Sequence, residues 1–199
     1  MVRNIIQRDS YKTKKYIHKN SIVIDVGANV GLFSLAASAK AKKVYAFEPN
    51  PVTFEILASH LSLWECGNCT PVQYGLGEKS DSKTILYNDE HLVWSRMEDC
   101  GMNTEPVTNS APVEIVTLDE FASKSGVEYI SFIKIDTEGY EMNVLKGARE
   151  IIKKHKPVIA ISSYHKPEDI TEIPAFLYSL RPDYKMMHSK RGEEDFIFA

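Results

Sequence analysis

The sequence lacks the features that mark several specialised classes of protein. Three cysteines in 199 residues are too few for a disulfide-stapled miniprotein, and no apolar run approaches the roughly 20 residues that cross a bilayer. The first twenty residues show no signal-peptide pattern, because charges interrupt each short apolar stretch. With 43% hydrophobic and 26% charged residues, the composition excludes disorder and collagen-like repeats. We therefore expect one domain over residues 1–199, in a cytoplasmic protein with no membrane span.

The sequence also lacks a strong net charge. Its 24 basic and 27 acidic side chains leave a net charge of −3, which disfavours a protein that binds nucleic acid along its surface. Only residues 1–20 form a basic segment, in which six cations face Asp9: Arg3, Arg8, Lys12, Lys14, Lys15 and Lys19. This segment could contact an anionic substrate, but a solvated helix face explains it more simply.

Cys66 and Cys69 have the C-x-x-C spacing of a redox pair or of half a zinc site. Only Cys100 remains beyond them, whereas a closed zinc site requires four nitrogen or sulfur ligands. A thioredoxin-like pair would precede a helix, but this pair follows a predicted one. We therefore interpret the cysteines as reduced bystanders in a loop.

Short β-branched runs alternate with amphipathic segments, which predicts a parallel sheet covered by helices on both faces. The predicted strands are Ser21–Val26, Lys43–Glu48, Pro71–Tyr74, Ile130–Ile135, Val158–Ser162, Tyr184–His188 and Phe196–Phe198. The predicted helices are Leu32–Lys40, one opened by Asn50-Pro51, Tyr140–Lys153 and one capped by Thr171 with Pro174 in its first turn. A short Lys190-Arg191-Gly192 turn makes the final strand pair antiparallel. We predict an α/β fold, a Rossmann-like three-layer sandwich whose seven-stranded, mostly parallel sheet has a reversed last strand. This arrangement resembles the class I S-adenosylmethionine-dependent methyltransferases.

Residues 78–112 break the alternation. The stretch is polar and contains Gly101, Pro106 and Pro112, with one predicted strand at Thr84–Tyr87 and another at Glu114–Val116 just beyond it. An excursion of this length inside a domain is usually functional or mobile. We therefore expect a variable region that could act as a substrate lid.

A glycine-containing loop follows the first predicted strand. Glycines there let backbone amides approach a ligand, and the next helix adds partial positive charge. A pyrophosphate site would use G-x-G-x-x-G, but Asn29 occupies the second glycine position and an acid, Asp25, precedes the loop. That carboxylate would repel a pyrophosphate yet could hold the ammonium of a methionine moiety. The pattern favours S-adenosylmethionine over NAD, with these contacts: Asp25, Gly27, Ala28, Asn29 and Gly31.

Glu48 ends the second predicted strand, seventeen residues after Gly31. A carboxylate at this point can accept hydrogen bonds from both hydroxyls of a ribose. Pro49 follows it directly, while Leu76 and Gly77 lie beyond the third strand, where an adenine ring would be bound. We predict that all four residues contact the cofactor.

These motifs together carry a closer resemblance. The segments Val23–Gly31, Phe47–Asn50 and Ile133–Glu141, with Thr117-Leu118-Asp119 and Val144–Ala148, resemble the FkbM-type methyltransferases over roughly residues 21–180. The resemblance implies an S-adenosylmethionine-dependent enzyme that methylates hydroxyl oxygens, typically on sugars or secondary metabolites. The expected partner is therefore a small hydroxylated molecule or a glycan, with no nucleic acid. The acceptor's identity and the oligomeric state stay open.

The carboxyl ends of the fourth and fifth predicted sheet strands supply candidate catalytic groups. Asp136 faces the cofactor crevice and is predicted to contact the cofactor or the substrate. Glu138 and Glu141 follow at the start of a helix, where carboxylates are also favoured by the helix dipole. We hypothesise that His165 is the general base and that Asp136 or Glu138 orients it or the acceptor. These side chains could also bind a divalent metal, although nothing in their spacing demands one.

Three alternatives remain. A methyltransferase acting on nitrogen in a nucleic-acid base would usually carry Asp/Asn-Pro-Pro-aromatic, where this chain has Asp136-Thr137-Glu138-Gly139. A non-catalytic binding module could keep the fold and the cofactor motifs without turnover. An NAD-dependent oxidoreductase is weakened by the missing middle glycine and the reversed last strand.

Overall fold

The computed structural model describes residues 9, 11–91, 95–102, 106–189 and 195–199. The strands in chain order are β1 (Ile22–Val26), β2 (Lys43–Phe47), β3 (Cys69–Val72), β4 (Gly75–Leu76), β5 (Asp81–Tyr87), β6 (Arg96–Met97), β7 (Asn109–Val116), β8 (Phe132–Ile135), β9 (Val158–Ser162), β10 (Met186–Ser189) and β11 (Asp195–Phe198). The α-helices are α1 (Thr13–Tyr16), α2 (Leu32–Ser38), α3 (Pro51–Leu63), α4 (Leu118–Lys124), α5 (Glu141–Lys146), α6 (Arg149–His155) and α7 (Asp169–Leu180). Arg3, Arg8 and the predicted turn at 190–192 lie outside the described residues.

Seven strands form the main sheet in the order β10-β11-β9-β8-β1-β2-β3. Strand β11 runs antiparallel to both β9 and β10, and the other pairs are parallel. The predicted Rossmann-like sheet with a reversed last strand is therefore confirmed. Val26 is level with Phe47 on one side and with Ile135 on the other, so β1, β2 and β8 end together at one edge of the sheet.

Helices cover both faces of this sheet. One face packs against α4, α5, α6 and α7, and its buried cluster includes Ile24 and Leu177. The other face packs against α2 and α3 and includes Val23 and Leu57. Because successive side chains of a strand point to opposite faces, Val23 and Ile24 are both fully buried. This arrangement is the predicted three-layer sandwich.

A second sheet occupies most of the predicted excursion, in the order β4-β7-β5-β6. The predicted strand at Thr84–Tyr87 is confirmed as the second half of a longer one, since β5 starts at Asp81 and pairs with β7 over seven residues, down to Tyr87 opposite Asn109. The predicted Glu114–Val116 strand is only the end of β7. A separate apolar cluster that includes Ile85, Val113 and Tyr140 holds this second sheet on the domain.

The predicted helix over Tyr140–Lys153 is divided at Gly147 and Ala148 into α5 and α6. A Cβ atom on Gly147 would lie 1.9 Å from the carbonyl oxygen of Gly77, so two backbone segments touch there. This contact joins the end of β4 to the junction of the two helices. A glycine is therefore required at position 147, and the continuous helix is replaced by two.

Two other boundaries differ from the sequence prediction. Helix α7 starts at Asp169, and Thr171 donates its hydroxyl to the Glu168 carbonyl from inside the first turn. Pro174 consequently lies in the second turn rather than the first. Strand β3 starts at Cys69, so this cysteine is buried in a strand and not in a loop, and burial raises the pKa of its thiol to about 12.

All three cysteines are free thiols, as the sequence interpretation required. Among the described residues, Lys14, Lys15 and Lys19 are exposed. No helix in the described part of the chain combines the length and the apolar character that a membrane crossing requires.

Candidate active site

A cleft lies at the carboxyl edge of the main sheet, between that edge and the second sheet. It holds about 680 Å³ when its open mouth is included. Its lining comprises Val26, Gly27, Asn29, Phe47, Glu48, Pro49, Tyr74, Gly75, Leu76, Ile85, Ser95, Arg96, Met97, Asp136, Thr137, Glu138 and Tyr140. Of the predicted cofactor contacts, Gly27, Asn29, Glu48, Pro49, Leu76 and Asp136 are in this lining. Asp25, Ala28, Gly31 and Gly77 are not.

The loop after β1 makes close backbone contacts with the ends of β2 and β8. Gly27 has a φ of 71°, and a Cβ atom there would lie 2.0 Å from the carbonyl oxygen of Asp136. The amides of Gly27 and Ala28 both donate to the Phe47 carbonyl, at 3.1 and 2.9 Å. Only glycine fits between the ends of β1 and β8, which leaves the loop backbone facing the cleft.

Asp25 lies beneath this loop and is fully buried. One of its oxygens accepts a hydrogen bond from Ser34, and the other lies 3.1 Å from the ammonium of Lys134. Lys134 in turn donates to the carbonyls of Val26 and Gly27, at 3.2 and 2.6 Å. Asp25 thus supports the loop through Lys134, and its contact with a cofactor ammonium stays a prediction. Lys134 was overlooked, although a lysine inside an apolar strand is a visible signal.

Glu48 is a buried carboxylate at the end of β2. Its oxygens accept hydrogen bonds from the amides of Asn29 and Asn50, at 2.9 and 3.0 Å. Burial raises the pKa of Glu48 to about 7, although the two amides and the Lys134 charge oppose the shift. Each carboxylate oxygen can accept a further hydrogen bond, so the group can still receive a diol from the cleft.

Asn50 connects this carboxylate to two other elements. Its side-chain oxygen caps α3 by accepting from the Val52 amide at 3.0 Å, as the sequence predicted. Its side-chain nitrogen donates to the Ser95 hydroxyl at 2.8 Å, next to β6 of the second sheet. The ribose-binding candidate, a helix start and the second sheet therefore meet at one residue.

Asp136 and Glu138 also line the cleft. The hydroxyl of Tyr11 donates to Asp136 Oδ2 at 3.1 Å, and no described group donates a hydrogen bond to Asp136 Oδ1. Glu138 has a φ of 52° and begins a tight turn before α5. Tyr11 is buried, and its role was missed because it lies 125 residues before its partner.

His165 brings the predicted catalytic residues together. Its Nδ1 donates to Glu141 Oε1 at 2.9 Å, and its Nε2 lies 3.4 Å from Glu138 Oε2 and 3.7 Å from Asp136 Oδ1. Burial opposes a charged imidazole, but the neighbouring carboxylates of Glu138 and Glu141 raise the pKa of His165 to about 10. A general-base role for His165 stays a prediction, and it requires that the imidazole first lose its proton.

Asp136, Glu141 and His165 each offer one ligand atom within 4.8 Å of the others. Such a group has the spacing and the chemistry to surround a divalent cation. The hydrogen bond between His165 and Glu141 explains the same closeness without an ion.

Most of the chain matches a known protein family. The profile described as the methyltransferase FkbM domain matches residues 25–186, which contain the loop, Glu48 and the His165 cluster. The chain belongs to the FkbM methyltransferase family.

Two relatives in sequence are methyltransferases by name. The hexuronic acid methyltransferase AglP of Haloferax volcanii is 31% identical in an alignment of 161 positions that covers 78% of this chain and 62% of that protein. Methyltransferase sdnD of Sordaria araneosa is 28% identical in an alignment of 159 positions that covers 66% of this chain and 61% of that protein. The chain therefore spans about three-fifths of the length of these relatives.

Solved structures share the fold. Methyltransferase FkbM from Methylobacillus flagellatus superposes with a TM-score of 0.67 at 22% identity, over 100% of this chain and 52% of that one. SMU.1697c of Streptococcus mutans, solved in complex with S-adenosylhomocysteine (SAH), gives 0.58 at 15% identity, over 97% and 94%. At these identities the likeness shows the Rossmann-like architecture alone.

Beyond the motifs that mark the FkbM family, the cleft contains a residue that the sequence analysis did not identify. Arg96 on β6 lines the cleft and is 6% exposed. Its segment is polar and only two residues of it are in a strand, so no periodic pattern drew attention to it.

Proposed function

We propose that this FkbM-family chain binds S-adenosylmethionine in the cleft and transfers its methyl group to a hydroxyl oxygen of a sugar or small metabolite. One observation carries the proposal: Glu48, with a free acceptor position on each oxygen, shares a cleft with Asp136 and Glu138. A ribose-binding carboxylate and candidate proton acceptors are thus within reach of one bound molecule. The name of AglP, a relative that acts on a hexuronic acid, supports a sugar as the acceptor class.

The cofactor end of the cleft combines one polar anchor with an apolar surface. Glu48 would accept both ribose hydroxyls, while Pro49 and Leu76 offer apolar contact to an adenine ring. The Gly27 loop would face the methionine moiety, held in place from beneath by Asp25 and Lys134. S-adenosylmethionine supplies an electrophilic methyl group on a positively charged sulfur.

At the reacting end, the proton of the acceptor hydroxyl must leave as the new bond to carbon forms. His165 Nε2 and Asp136 Oδ1 lie 3.7 Å apart, and neither has a hydrogen-bond partner among the described residues. Both atoms are shielded from solvent and His165 lies outside the lining of the cleft, so an acceptor hydroxyl would contact them only after neighbouring side chains move. Glu141 fixes the imidazole through Nδ1, so Nε2 is the nitrogen that would receive the proton. Asp136 would orient the hydroxyl, and Glu138, whose Oε2 lies 3.4 Å from Nε2, would help to orient the imidazole.

A transfer assay with isotopically labelled S-adenosylmethionine and a panel of hydroxylated glycosides tests this proposal. Because Nε2 must lose its proton, we expect log kcat to rise with unit slope through pH 8 and to level off only near pH 10. The variant His165→Gln should lower kcat by about 10²–10⁴-fold and remove the slope, with unchanged SAH affinity. The exposed His188 provides a matched control, and His188→Gln should behave like the wild type.

Two results would contradict the assignment. Full turnover by His165→Gln would remove the histidine from the chemistry and leave a carboxylate as the base. Failure of the wild type to bind either S-adenosylmethionine or SAH would contradict the cofactor itself.

A further inference from the structure

Arg96 is a buried cation with no counter-ion in the described part of the chain. Its side chain is 6% exposed, and its Nε donates to the Met102 carbonyl at 3.1 Å. The ion pairs formed by the described residues do not include its guanidinium. Of the two acids that follow it in sequence, Glu98 is exposed and Asp99 is paired with Lys83. The guanidinium lines the cleft, so its charge is open to an anionic ligand that enters there.

The chemistry of the missing partner follows from the guanidinium. Its planar set of N–H groups matches a carboxylate through two parallel hydrogen bonds, and it cannot lose its proton at any ordinary pH. Since Nε is occupied by Met102, the terminal nitrogens remain for a ligand. Arg96 lines the same cleft as Glu48 and Asp136, so that ligand would enter through the cleft.

The position of Arg96 indicates which molecule carries the anion. Strand β6 is held at one end by the hydrogen bond between Ser95 and Asn50. At the other end, Met102 lies against Gly139, where a Cβ atom would come within 2.4 Å of its sulfur. Because the Met102 carbonyl also accepts the hydrogen bond from Arg96, the Arg96 side chain is linked to the turn that carries Glu138, which is one of the candidate catalytic residues.

We propose that Arg96 binds a carboxylate of the methyl acceptor, and hence that the acceptor is a hydroxylated acid such as an acidic sugar. This inference rests on the proposed function and specifies its substrate class. The carboxylate would anchor the acceptor from the second sheet while a hydroxyl of the same molecule reaches Asp136 and His165. The second sheet thus supplies acceptor specificity, and the main sheet supplies the cofactor contacts.

A matched pair of glycosides provides the test, namely p-nitrophenyl β-glucuronide and p-nitrophenyl β-glucoside, which differ only in the carboxylate. Binding of each to the protein saturated with SAH is measured first, followed by methyl transfer from labelled S-adenosylmethionine. The wild type should favour the glucuronide by at least about tenfold in affinity and in kcat/KM, as expected for a charge-assisted pair. Arg96→Met should abolish that preference, Arg96→Lys should restore part of it, and SAH affinity should not change.

Lys83→Met is the control, because it removes one positive charge from the same sheet at a residue outside the cleft lining. It should retain the full preference for the glucuronide. Equal binding of the two glycosides by the wild type, or binding of neither at millimolar concentration, overturns the inference. A tenfold loss of SAH affinity in Arg96→Met also overturns it, since the guanidinium would then bind the carboxylate of the cofactor.

The two proposals fail in distinguishable ways. If the glucuronide binds through Arg96 but no methyl group is transferred, the inference on Arg96 holds and the proposed function fails. If the product loses its methyl group under mild alkali, the carboxylate rather than a hydroxyl has been methylated. That result would overturn both the hydroxyl assignment and the anchoring role, because an anchored carboxylate could not also be the attacking group.

Discussion

Acidification should weaken SAH binding because it protonates Glu48. In the unliganded protein, burial raises the pKa of this carboxyl from its ordinary value near 4.5 to about 7. A ribose diol donates hydrogen bonds to both oxygens and therefore favours the ionised form. Binding should release the proton, and the affinity should increase with pH until Glu48 is already ionised in the free protein.

The magnitude follows from the pKa shift. A shift from 4.5 to about 7 at roughly 1.4 kcal/mol per unit disfavours the buried carboxylate by about 3 kcal/mol. Because the folded pKa is the higher one, the corresponding stabilisation is complete below about pH 4.5 and is lost as the pH rises through about 7. The unliganded protein should thus be less stable at pH 8 than at pH 5 on account of Glu48. SAH affinity should fall about tenfold for each pH unit below about 7.

Calorimetry in two buffers of different ionisation enthalpy measures the protons released. The wild type should release about 0.9 proton at pH 6 and about 0.1 at pH 8. Glu48→Gln retains the shape of the side chain but cannot titrate, so its affinity should be independent of pH. At pH 8 it should bind at least about tenfold more weakly, since one charge-assisted hydrogen bond is lost. A flat wild-type profile, or a slope that persists in Glu48→Gln, would refute the reasoning.

Three further predictions concern the support of the site. Lys134→Met should lower the free energy of unfolding by about 3–5 kcal/mol in denaturant titrations, because Asp25 would be left as an unpaired buried charge; adding Asp25→Asn should recover part of the loss. Gly147→Ala should be strongly destabilising, since its Cβ would lie 1.9 Å from a backbone oxygen, whereas Gly67→Ala, with open space around it, should be tolerated. Exhaustive chelation should leave methyl transfer unchanged, because the hydrogen bond of His165 explains its cluster without an ion; activity that disappears and returns with Mg²⁺ would identify a cation site instead.

The main sheet can be predicted from the sequence because its central strands are buried on both faces. Such strands are continuous apolar runs, as in Val23 and Ile24, and they stand out from the helical segments between them. The second sheet carries no such signal. Strand β5 begins with exposed polar residues, β7 contains Pro112, and β4 and β6 have only two residues each, too few for a period to be visible.

The same difference applies to the residues of the candidate site. Glu48 directly follows β2 and Asp136 directly follows β8, so local sequence patterns are sufficient to find them. Tyr11 reaches Asp136, and Arg96 reaches the cleft, only through tertiary packing, across separations that no local pattern encodes. Lys134 is intermediate, because its strand was predicted and only the meaning of a charge inside it was missed.

Asn50 has a consequence for how the domain opens. Its amide, its side-chain oxygen and its side-chain nitrogen bind Glu48, the start of α3 and Ser95, respectively. Segments that are hydrogen-bonded to one shared residue tend to unfold locally as one cooperative unit, and their amide hydrogens then exchange with solvent at a common rate. Occupation of the cofactor site should therefore slow hydrogen exchange in β6 and the first turn of α3 together, so that the second sheet reports what is bound at Glu48.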